Sequence, residues 1–586
     1  MARKTVAFKV LARVFARLEL LSSSTAMIDT LARFLPKLAP EEAKVAAYLL
    51  SGTLGPSFSA PQFGMAEKMI ARAIAQAFGV PLTRVTSMAI KAGDLGAVAE
   101  KLATGRGKGF SILGVFELLM KIARTSGAGA QASKIQQLAT LLTSTSDVEA
   151  KYVVRTVTGT HRVGAAEMTF LHALSRSAGG TKADKDYLEQ AYNVLSDLGE
   201  VAFRVARDGL KSLRRVRPKP GVPVRMMLCS RVEDLDEVPL HLKGEMFAEY
   251  KYDGERAQIH KQSNGEIRVF SRRLDDITYQ YPEVIEHLRK HLKARQAVID
   301  GEVVAIDRKT GLLMPFQVVM QRKRKLKIEH YRKEVPVAFF AFDILYLNGK
   351  SLLATPLAQR KGLLQRHLIA DRTAGLGAFI RTDDMNEIER YFHSAIARGA
   401  EGVVIKGATS PYQAGHRGWY WIKFKKDYTK ELADTFDVVV VGALYGKGSR
   451  AGSYGSLLVA AFDPRTNKYY SFTKVGSGIT DRLLRSLPKL LKPHVIPKKH
   501  RLVVTNMEMD VWFEPVNVIE IKGADLTASP VHTVAHDKLK TGGLALRFPR
   551  LVKLRDDKTA EEATTVREIW KMYRDHLRLA RGAKGR

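Results

Sequence analysis

The chain has 586 residues, with 94 Lys plus Arg against 60 Asp plus Glu and a formal charge of +34. That length suits about two to four domains, and so basic a chain is drawn to polyanions, with nucleic acid ahead of an anionic membrane surface. A single cysteine, Cys229, excludes a disulfide framework and a four-cysteine zinc site and points to an intracellular protein, and no apolar run of about 18 residues suggests a membrane span.

Residues 1–215 read as helical. The basic, amphipathic start, "MARKTVAFKVLARVFARLELL", reads as the first helix of a soluble domain and not as a targeting peptide. "APEEAKVAAYLLSG" has Pro40 at a helix start, acids in the first turn and Gly52 after the last apolar residue. "GMAEKMIARAIAQAFG" repeats the pattern and ends at Gly79. "EAKYVVRTVTGTHRVGAAEMTFLHALSR" is helical at both ends, with a basic turn between (Arg155, Thr156, Gly159, His161, Arg162, Gly164) that suits phosphates or serves as a plain connector. Pro218, Pro220, Gly221 and Pro223 then mark a domain boundary.

Beyond the prolines the texture is α+β. Short β-rich runs ("MFAEYKY", "RAQIHKQ", "IRVFSRR", "AVIDGEVVAID", "VAFFAFDILYL", "GVVIK", "YWIKFK") alternate with helical stretches such as "YPEVIEHLRKHLKA" and "MNEIERYFHSAIARG". From about residue 431 a third region begins. Its runs Val438–Leu444, Ser456–Phe462, Tyr469–Val475 and Val516–Lys522 predict a small β-barrel, closed by the basic helix "EEATTVREIWKMYRDHLRLAR".

Strand alternation in "FAEYKYDGERAQIH" puts Glu249 and Lys251 on one face. The Asp253-Gly254 pair predicts a hairpin turn, with Arg256, Gln258 and His260 sharing a face of the returning strand. Alone this would be an exposed, solvated hairpin. The design recurs, however: Lys423 and Lys425 share a face in "YWIKFKKDY", Glu401 and Lys406 flank an apolar run, and Glu302 sits in a β-branched one. Charged groups set into apolar strands are costly unless paired or metal-bound, so several together suggest a lined pocket. Cys229 in "MMLCSRV" reads as a small buried residue.

The ordered set "KYDGER", "SRR", "DGEVV", "FFAFDILYLNG", "EGVVIK" and "WIKFKKDY", spread over about 180 residues, resembles the motifs of covalent nucleotidyltransferases. "DVVVVGALYGKGSRAGSYGSLLVA" and "ALRFPRLVKLRDDKTAEEATT" are similar to the C-terminal OB-fold of the replicative ATP-dependent DNA ligases of archaea and eukaryotes, and the helical N-terminal part resembles their DNA-binding domain. The resemblance implies a multidomain fold: an all-α DNA-binding domain at 1–215, an α+β adenylation domain at 216–430 and a β-barrel OB-fold domain at 431–586. It implies that Lys251 attacks the α-phosphorus of ATP, that AMP passes to the 5′-phosphate of a nick, and that the 3′-hydroxyl displaces it. It further implies that Glu249 contacts the adenine edge, that Phe342 stacks on the base, and that Arg256 and Glu302 hold the ribose. Arg272 and Arg417 would meet phosphate or nucleotide, and Lys423 and Lys425 the α-phosphate. Glu302 and Glu401 would be carboxylates for Mg²⁺ or another divalent cation, and Arg547, Arg555, Asp557 and Lys558 would serve pyrophosphate in the first step. Arg256, Lys423, Lys425 and the metal are the cations expected to keep the Lys251 amine neutral, while Asp253 shapes the turn and orients its neighbours.

Capping enzymes and RNA ligases lack the large helical domain, and NAD-dependent ligases carry a cysteine zinc module that one cysteine cannot build. A non-catalytic nucleic-acid binder of the same fold would not need Lys251, Glu302, Glu401 and Lys423. The resemblance also implies nicked duplex DNA as partner, gripped through phosphates and shape by domains that encircle it, a monomer, and a cytoplasmic, nucleoid-associated place in an archaeon. For a sliding clamp, "GKGFSILGVFELL" is the nearest candidate peptide, though it reads as a core helix.

Overall fold

The computed structural model describes residues 5–105, 107–161, 163–165, 167–323, 328–425, 435–539 and 542–582. Its described residues divide into two compact units, Met1–Ile70 with Ala103–Lys426 and Ala71–Leu102 with Asp427–Arg586. No helix among them is long and apolar enough to cross a membrane.

The helical part of the first unit begins as the pattern predicts. Pro40–Leu50 starts on its proline, carries Glu41 and Glu42 in its first turn and ends before Gly52, whose φ of 68° needs a glycine. Ile112–Arg124 buries Ile112, Val115, Leu119 and Ile122, as a core helix does. The helix Asp147–Thr158 opens with a capping box between Ser146 and Glu149 and ends at Gly159, φ 68°. In the basic turn that follows, the side chains of Arg155, Thr156 and His161 are buried. Arg155 is buried and grips Glu19 at 2.9 and 3.0 Å, and Thr156 Oγ1 meets His161 Nε2 at 2.8 Å. Burial, reinforced by Arg155, moves the His161 pKa down to about 3, so this imidazole is neutral. Arg162 lies outside the described residues.

Among the described residues of the first unit eleven strands follow: β1 Leu228–Arg231, β2 Met246–Lys251, β3 Glu255–Lys261, β4 Ile267–Ser271, β5 Ala297–Ala305, β6 Val337–Leu347, β7 Lys350–Ser351, β8 Ala374–Leu376, β9 Phe379–Thr382, β10 Gly402–Gly407 and β11 Arg417–Lys425. They build two sheets. One runs β1-β11-β10-β2-β9; the other runs β4-β3-β5-β6-β7, with β8 added parallel to β6. Ile259, Val269, Ile299 and Phe339 pack one core, and Met246, Ala248, Val403, Ile405 and Ile422 another. A third cluster, Val224, Met227, Val298, Leu345, Tyr412 and Trp421, draws on both sheets.

The predicted hairpin is absent. β2 and β3 lie in different sheets, and residues 252–254 carry the chain across. The Asp-Gly pair therefore marks a crossing. Gly254 is a glycine for lack of room: a Cβ there would stand 2.3 Å from the Val303 carbonyl oxygen. The crossing is pinned on both sides. Tyr252 stacks on Phe340 of β6 (centroids 4.5 Å apart, planes 2° off parallel), and its hydroxyl accepts the Ala378 N–H at 2.8 Å. Asp253 Oδ2 accepts the Phe316 N–H at 3.1 Å.

The polar stripe of β3 also has a use other than lining a hairpin face. Arg256 donates to the Met227 carbonyl at 2.7 Å, Gln258 exchanges two hydrogen bonds with the Val224 backbone at 2.7 and 3.0 Å, and His260 Nδ1 accepts the Gly221 N–H at 3.1 Å. The proline-rich segment, which lacks N–H groups at Pro218, Pro220 and Pro223, is thus held by side chains where a strand ladder would lose bonds.

In the second unit the strand Phe436–Tyr445 pairs from Val439 to Tyr445 with Tyr454–Asp463, and on its other edge with Val511–Phe513 and Val518–Lys522. Phe436, Val438 and Val440 enter one core while Val439 and Val441 enter another, so the curled, OB-like sheet is apolar on both faces. The closing helix, Val566–Gly582, starts later than the sequence pattern suggests, because Thr565 and Glu568 form its cap: the Glu568 N–H donates to Thr565 Oγ1 at 3.2 Å, and Glu568 Oε2 accepts the Thr565 N–H at 2.7 Å.

Gly254→Ala is expected to lower the stability of the first unit by about 2 kcal/mol, since the Val303 carbonyl is backbone and cannot step aside cheaply. Denaturant unfolding reads this, and an unchanged midpoint would contradict the close approach.

Candidate active site

Register brings the charged residues together. Three rungs cross β2, β10 and β11: Lys251–Gly402–Lys425, Glu249–Val404–Lys423 and Phe247–Lys406–Trp421. Residues on one rung share a face, and alternate rungs of each strand keep to it. Gly402 leaves the space between Lys251 and Lys425 open, and a Cβ there would lie 2.2 Å from the Phe424 carbonyl oxygen. From the other sheet, Arg256 pairs with Glu302 across β3 and β5. Phe342 is the extra residue of a β-bulge, since Asp300 pairs with Asp343 while the next residue, Gly301, pairs with Ala341. The bulge breaks the alternation of "FFAFDILYL", and Phe342 lies 4.4 Å from the Lys406 ammonium and 5.4 Å from the Arg256 guanidinium.

These side chains line a cavity of about 1220 Å³ that opens between the two sheets. Lys251, Glu249, Arg256, Arg272, Glu302, Phe342, Glu401, Arg417, Lys423 and Lys425 all border it. Arg272 and Arg417 are exposed at its rim, where Arg417 donates to the Cys229 carbonyl at 3.3 Å. Cys229 is half-buried on the cavity wall, and not the sealed core residue that its apolar neighbours suggest. The residues matched in the C-terminal region lie in the second unit, where Arg555, Asp557 and Lys558 form a network with Asp437. Arg555 meets Asp437 at 2.8 Å and Asp557 at 2.7 Å, Lys558 meets Asp437 at 2.7 Å, and the exposed Arg547 stands over Phe548.

Charge pairing inside the cavity differs from expectation in one respect. The nearest charged atom to the Lys251 ammonium is an anion: Glu401 Oε2 at 2.6 Å, shared with Lys425 at 2.6 Å. Arg256 is not a free cation beside Lys251, because it grips Asp300 with two bonds of 3.2 and 2.7 Å. Burial alone would raise the Glu401 pKa, but Lys251 and Lys425 outweigh it and hold it at about 2. Glu302 behaves oppositely: burial pushes it up to about 7, against the pull of Lys251 and Arg256. Burial, helped by Lys425, Lys251 and Arg417, moves Lys423 below the usual lysine range. Burial opposes the Arg256 charge, yet Asp300 more than restores it.

Asp300, Tyr412, Trp421 and Lys361 escaped the sequence reading. Asp300 is fully buried and also accepts the Tyr412 hydroxyl at 2.7 Å. Its place in "VIDGEVV" was a usable signal, being a second acid in a β-branched run. Lys361 had none, since "AQRKGLLQR" reads as a solvated helix.

Family models match the chain in three places: the ATP dependent DNA ligase domain at residues 226–425, the DNA ligase N terminus at 7–175, and the ATP dependent DNA ligase C terminal region at 450–558. The chain is 43% identical to DNA ligase 2 of Thermofilum pendens, over 98% of each. It is 42% identical to the DNA ligase of Aeropyrum pernix, over 97% of this chain and 98% of the relative. The solved structure described as Pmar-Lig_PreS3 is alike in fold, with a TM-score of 0.53 at 16% identity, covering 93% of this chain and 99% of that one.

Glu302 yields a prediction whose sign is fixed. Its folded pKa, about 7, exceeds the ordinary glutamate value of 4.5, so between those pH values the folded state holds more of its proton than the unfolded state does. Its contribution is present below pH 4.5 and is lost as pH rises through 7. Neutral buried His161 and His260, both moved down to about 3, give the opposite slope below pH 6.5, so the readout is a difference. In metal-free buffer, wild type should lose about 2–3 kcal/mol relative to Glu302→Gln between pH 5 and pH 7.5. Parallel stability curves would contradict the raised pKa.

Proposed function

The chain belongs to the ATP-dependent DNA ligases, and from that premise we propose that it seals nicks in duplex DNA with Lys251 as the nucleophile. The observation that carries the reading is the convergence of Lys251, Glu249, Arg256, Glu302, Phe342, Glu401 and Lys423 on one cavity. In the first step Lys251 Nζ bonds to the α-phosphorus of ATP, and the bond from that phosphorus to the pyrophosphate oxygen breaks. The 5′-phosphate of the nick then takes the AMP, and the 3′-hydroxyl displaces AMP to close the strand.

Attack needs a free, neutral amine, and Lys251 Nζ is engaged by Glu401 Oε2 at 2.6 Å, so that contact must open as the nucleotide enters. Lys425, on the same rung as Lys251, and Lys423, on the rung of Glu249, supply positive charge for the α-phosphate. Glu249 meets the base edge, Phe342 stacks on the base, Arg256 and Glu302 hold the ribose, and Arg272 and Arg417 take phosphate at the rim. Arg547, Arg555, Asp557 and Lys558 serve pyrophosphate in the first step.

Glu302 and Glu401 fit a divalent cation such as Mg²⁺. Both border the cavity, and carboxylate oxygens are the hard donors such an ion takes. When bound, that ion would offset negative charge on the substrate phosphates.

The division of labour follows the domain limits read from the sequence. Residues 1–215 engage the duplex, 216–430 carry adenylation, and 431–586 form the OB-fold that moves between steps. The protein works as a monomer in the archaeal cytoplasm at the nucleoid, with replication, repair and recombination as its settings, and a sliding clamp is a further partner. The net charge of +34 supports salt-sensitive phosphate binding without base readout.

Incubation with α-labelled ATP and a divalent cation should leave label on the denatured protein, and added nicked duplex DNA should be sealed. Lys251→Ala should lose both. Label retained by Lys251→Ala, or sealing of RNA nicks but not DNA nicks, would contradict the reading.

A further inference from the structure

Behind Glu249 stands a residue that none of the nucleotidyltransferase-like stretches contains. Lys361 comes from the helix Leu357–His367, and its ammonium lies 2.7 Å from Glu249 Oε1. On the other side Lys406 Nζ donates to Glu249 Oε2 at 2.8 Å. All three side chains are 4% exposed or less. Glu249 and Lys406 border the cavity and Lys361 does not, so Lys361 reaches the cavity only through the carboxylate.

The helix that delivers Lys361 is firmly fixed. The neighbouring Arg360 is fully buried, grips Asp343 at 2.7 and 2.9 Å, and donates to the Thr355 and Ser410 carbonyls. The Leu357 and Ala358 N–H groups donate to the Ser410 and Ala408 carbonyls at 3.0 and 2.9 Å. The Lys361 ammonium also lies over the Phe379 ring, 4.7 Å from its centre. Among the described residues no hydrogen bond of good geometry reaches Glu249 Oε1, since the Lys361 contact is an ion pair off the bonding angle. A buried carboxylate on the cavity wall therefore keeps an unfilled acceptor direction.

We propose that Lys361 is a positioning residue for base selection: by clamping Glu249 against Lys406 it fixes where that carboxylate presents its acceptor oxygens, so that the cavity takes a 6-amino purine and turns away a 6-keto one. This rests on the reading of Glu249 as the group at the base edge. An ionised carboxylate accepts from an exocyclic amine and repels a keto oxygen, whereas a protonated one can donate to that oxygen. Without Lys361, Glu249 keeps only the Lys406 contact, and the place of Oε1 at the base edge is no longer fixed. The cost of burying three charges, two of one sign, argues for a use other than stability.

The test uses the full chain and initial rates of label transfer to protein from α-labelled ATP and from α-labelled ITP, whose base carries the keto group. Lys361→Met and Lys361→Gln should lower the preference for ATP over ITP by about tenfold or more, through KM more than through the saturating rate. Lys361→Arg should restore most of it. Retention of the preference in both neutral variants, while Glu249→Gln loses it, would overturn the role of Lys361, as would early thermal melting with the preference intact. Retention of the preference in Glu249→Gln would overturn the base-edge reading itself, and the proposal with it.

Discussion

The site depends on a chain crossing. Tyr252, Asp253 and Gly254 take the backbone from one sheet directly into another, so Lys251 ends a strand of the first and Arg256 lies near the start of a strand of the second. A hairpin would have put both in one sheet and left no cavity between them. The crossing survives because each of its residues is held. Tyr252 is stacked on Phe340, Asp253 accepts a backbone N–H from Phe316, and Gly254 passes where no side chain fits. The polar face around the lysine is thus a seam, with walls contributed by two separate ladders.

Charges along that seam are paired in sets. Lys251 and Lys425 share Glu401; Arg256 is held by Asp300, which also takes the Tyr412 hydroxyl; Glu249 lies between Lys361 and Lys406. Buried ion pairs are weak evidence for stability, because desolvation consumes most of what Coulomb attraction returns. Retaining three sets at one cavity makes sense for a site that must receive a polyphosphate, since each set holds a charged group at a fixed place before the ligand arrives. The Glu302 carboxyl, pushed up to about 7 by burial, is tuned apart from Glu401 at about 2, though both border the same space.

Much of this was legible in the sequence. The β-rich runs after the prolines became strands with ends within three residues of those read, because apolar alternation and turn residues are local signals. The ten adenylation-region residues singled out by motif all border one cavity. What was hidden is tertiary. The Asp-Gly pair reads as a tight turn, yet the local sequence does not say to which sheet the next strand belongs. The bulge that re-aims Phe342 is a mismatch of two ladders, visible only in their register. Arg155 and His161 read as part of a turn that either faces phosphate or serves as a plain connector, but a glutamate far away in the chain, Glu19, draws the arginine inward. Lys361 carries no motif, and its importance arises from the carboxylate it reaches.

The most direct measurement is the site of covalent attachment. The protein would be treated with ATP and a divalent cation, digested, and its nucleotide-bearing peptide sequenced by mass spectrometry. With Lys251 as nucleophile, AMP is found on the peptide containing "EYKYDGER", bonded to Lys251 Nζ. An adduct on Lys406, Lys423 or Lys425 instead, or none on any lysine of the cavity, would contradict it.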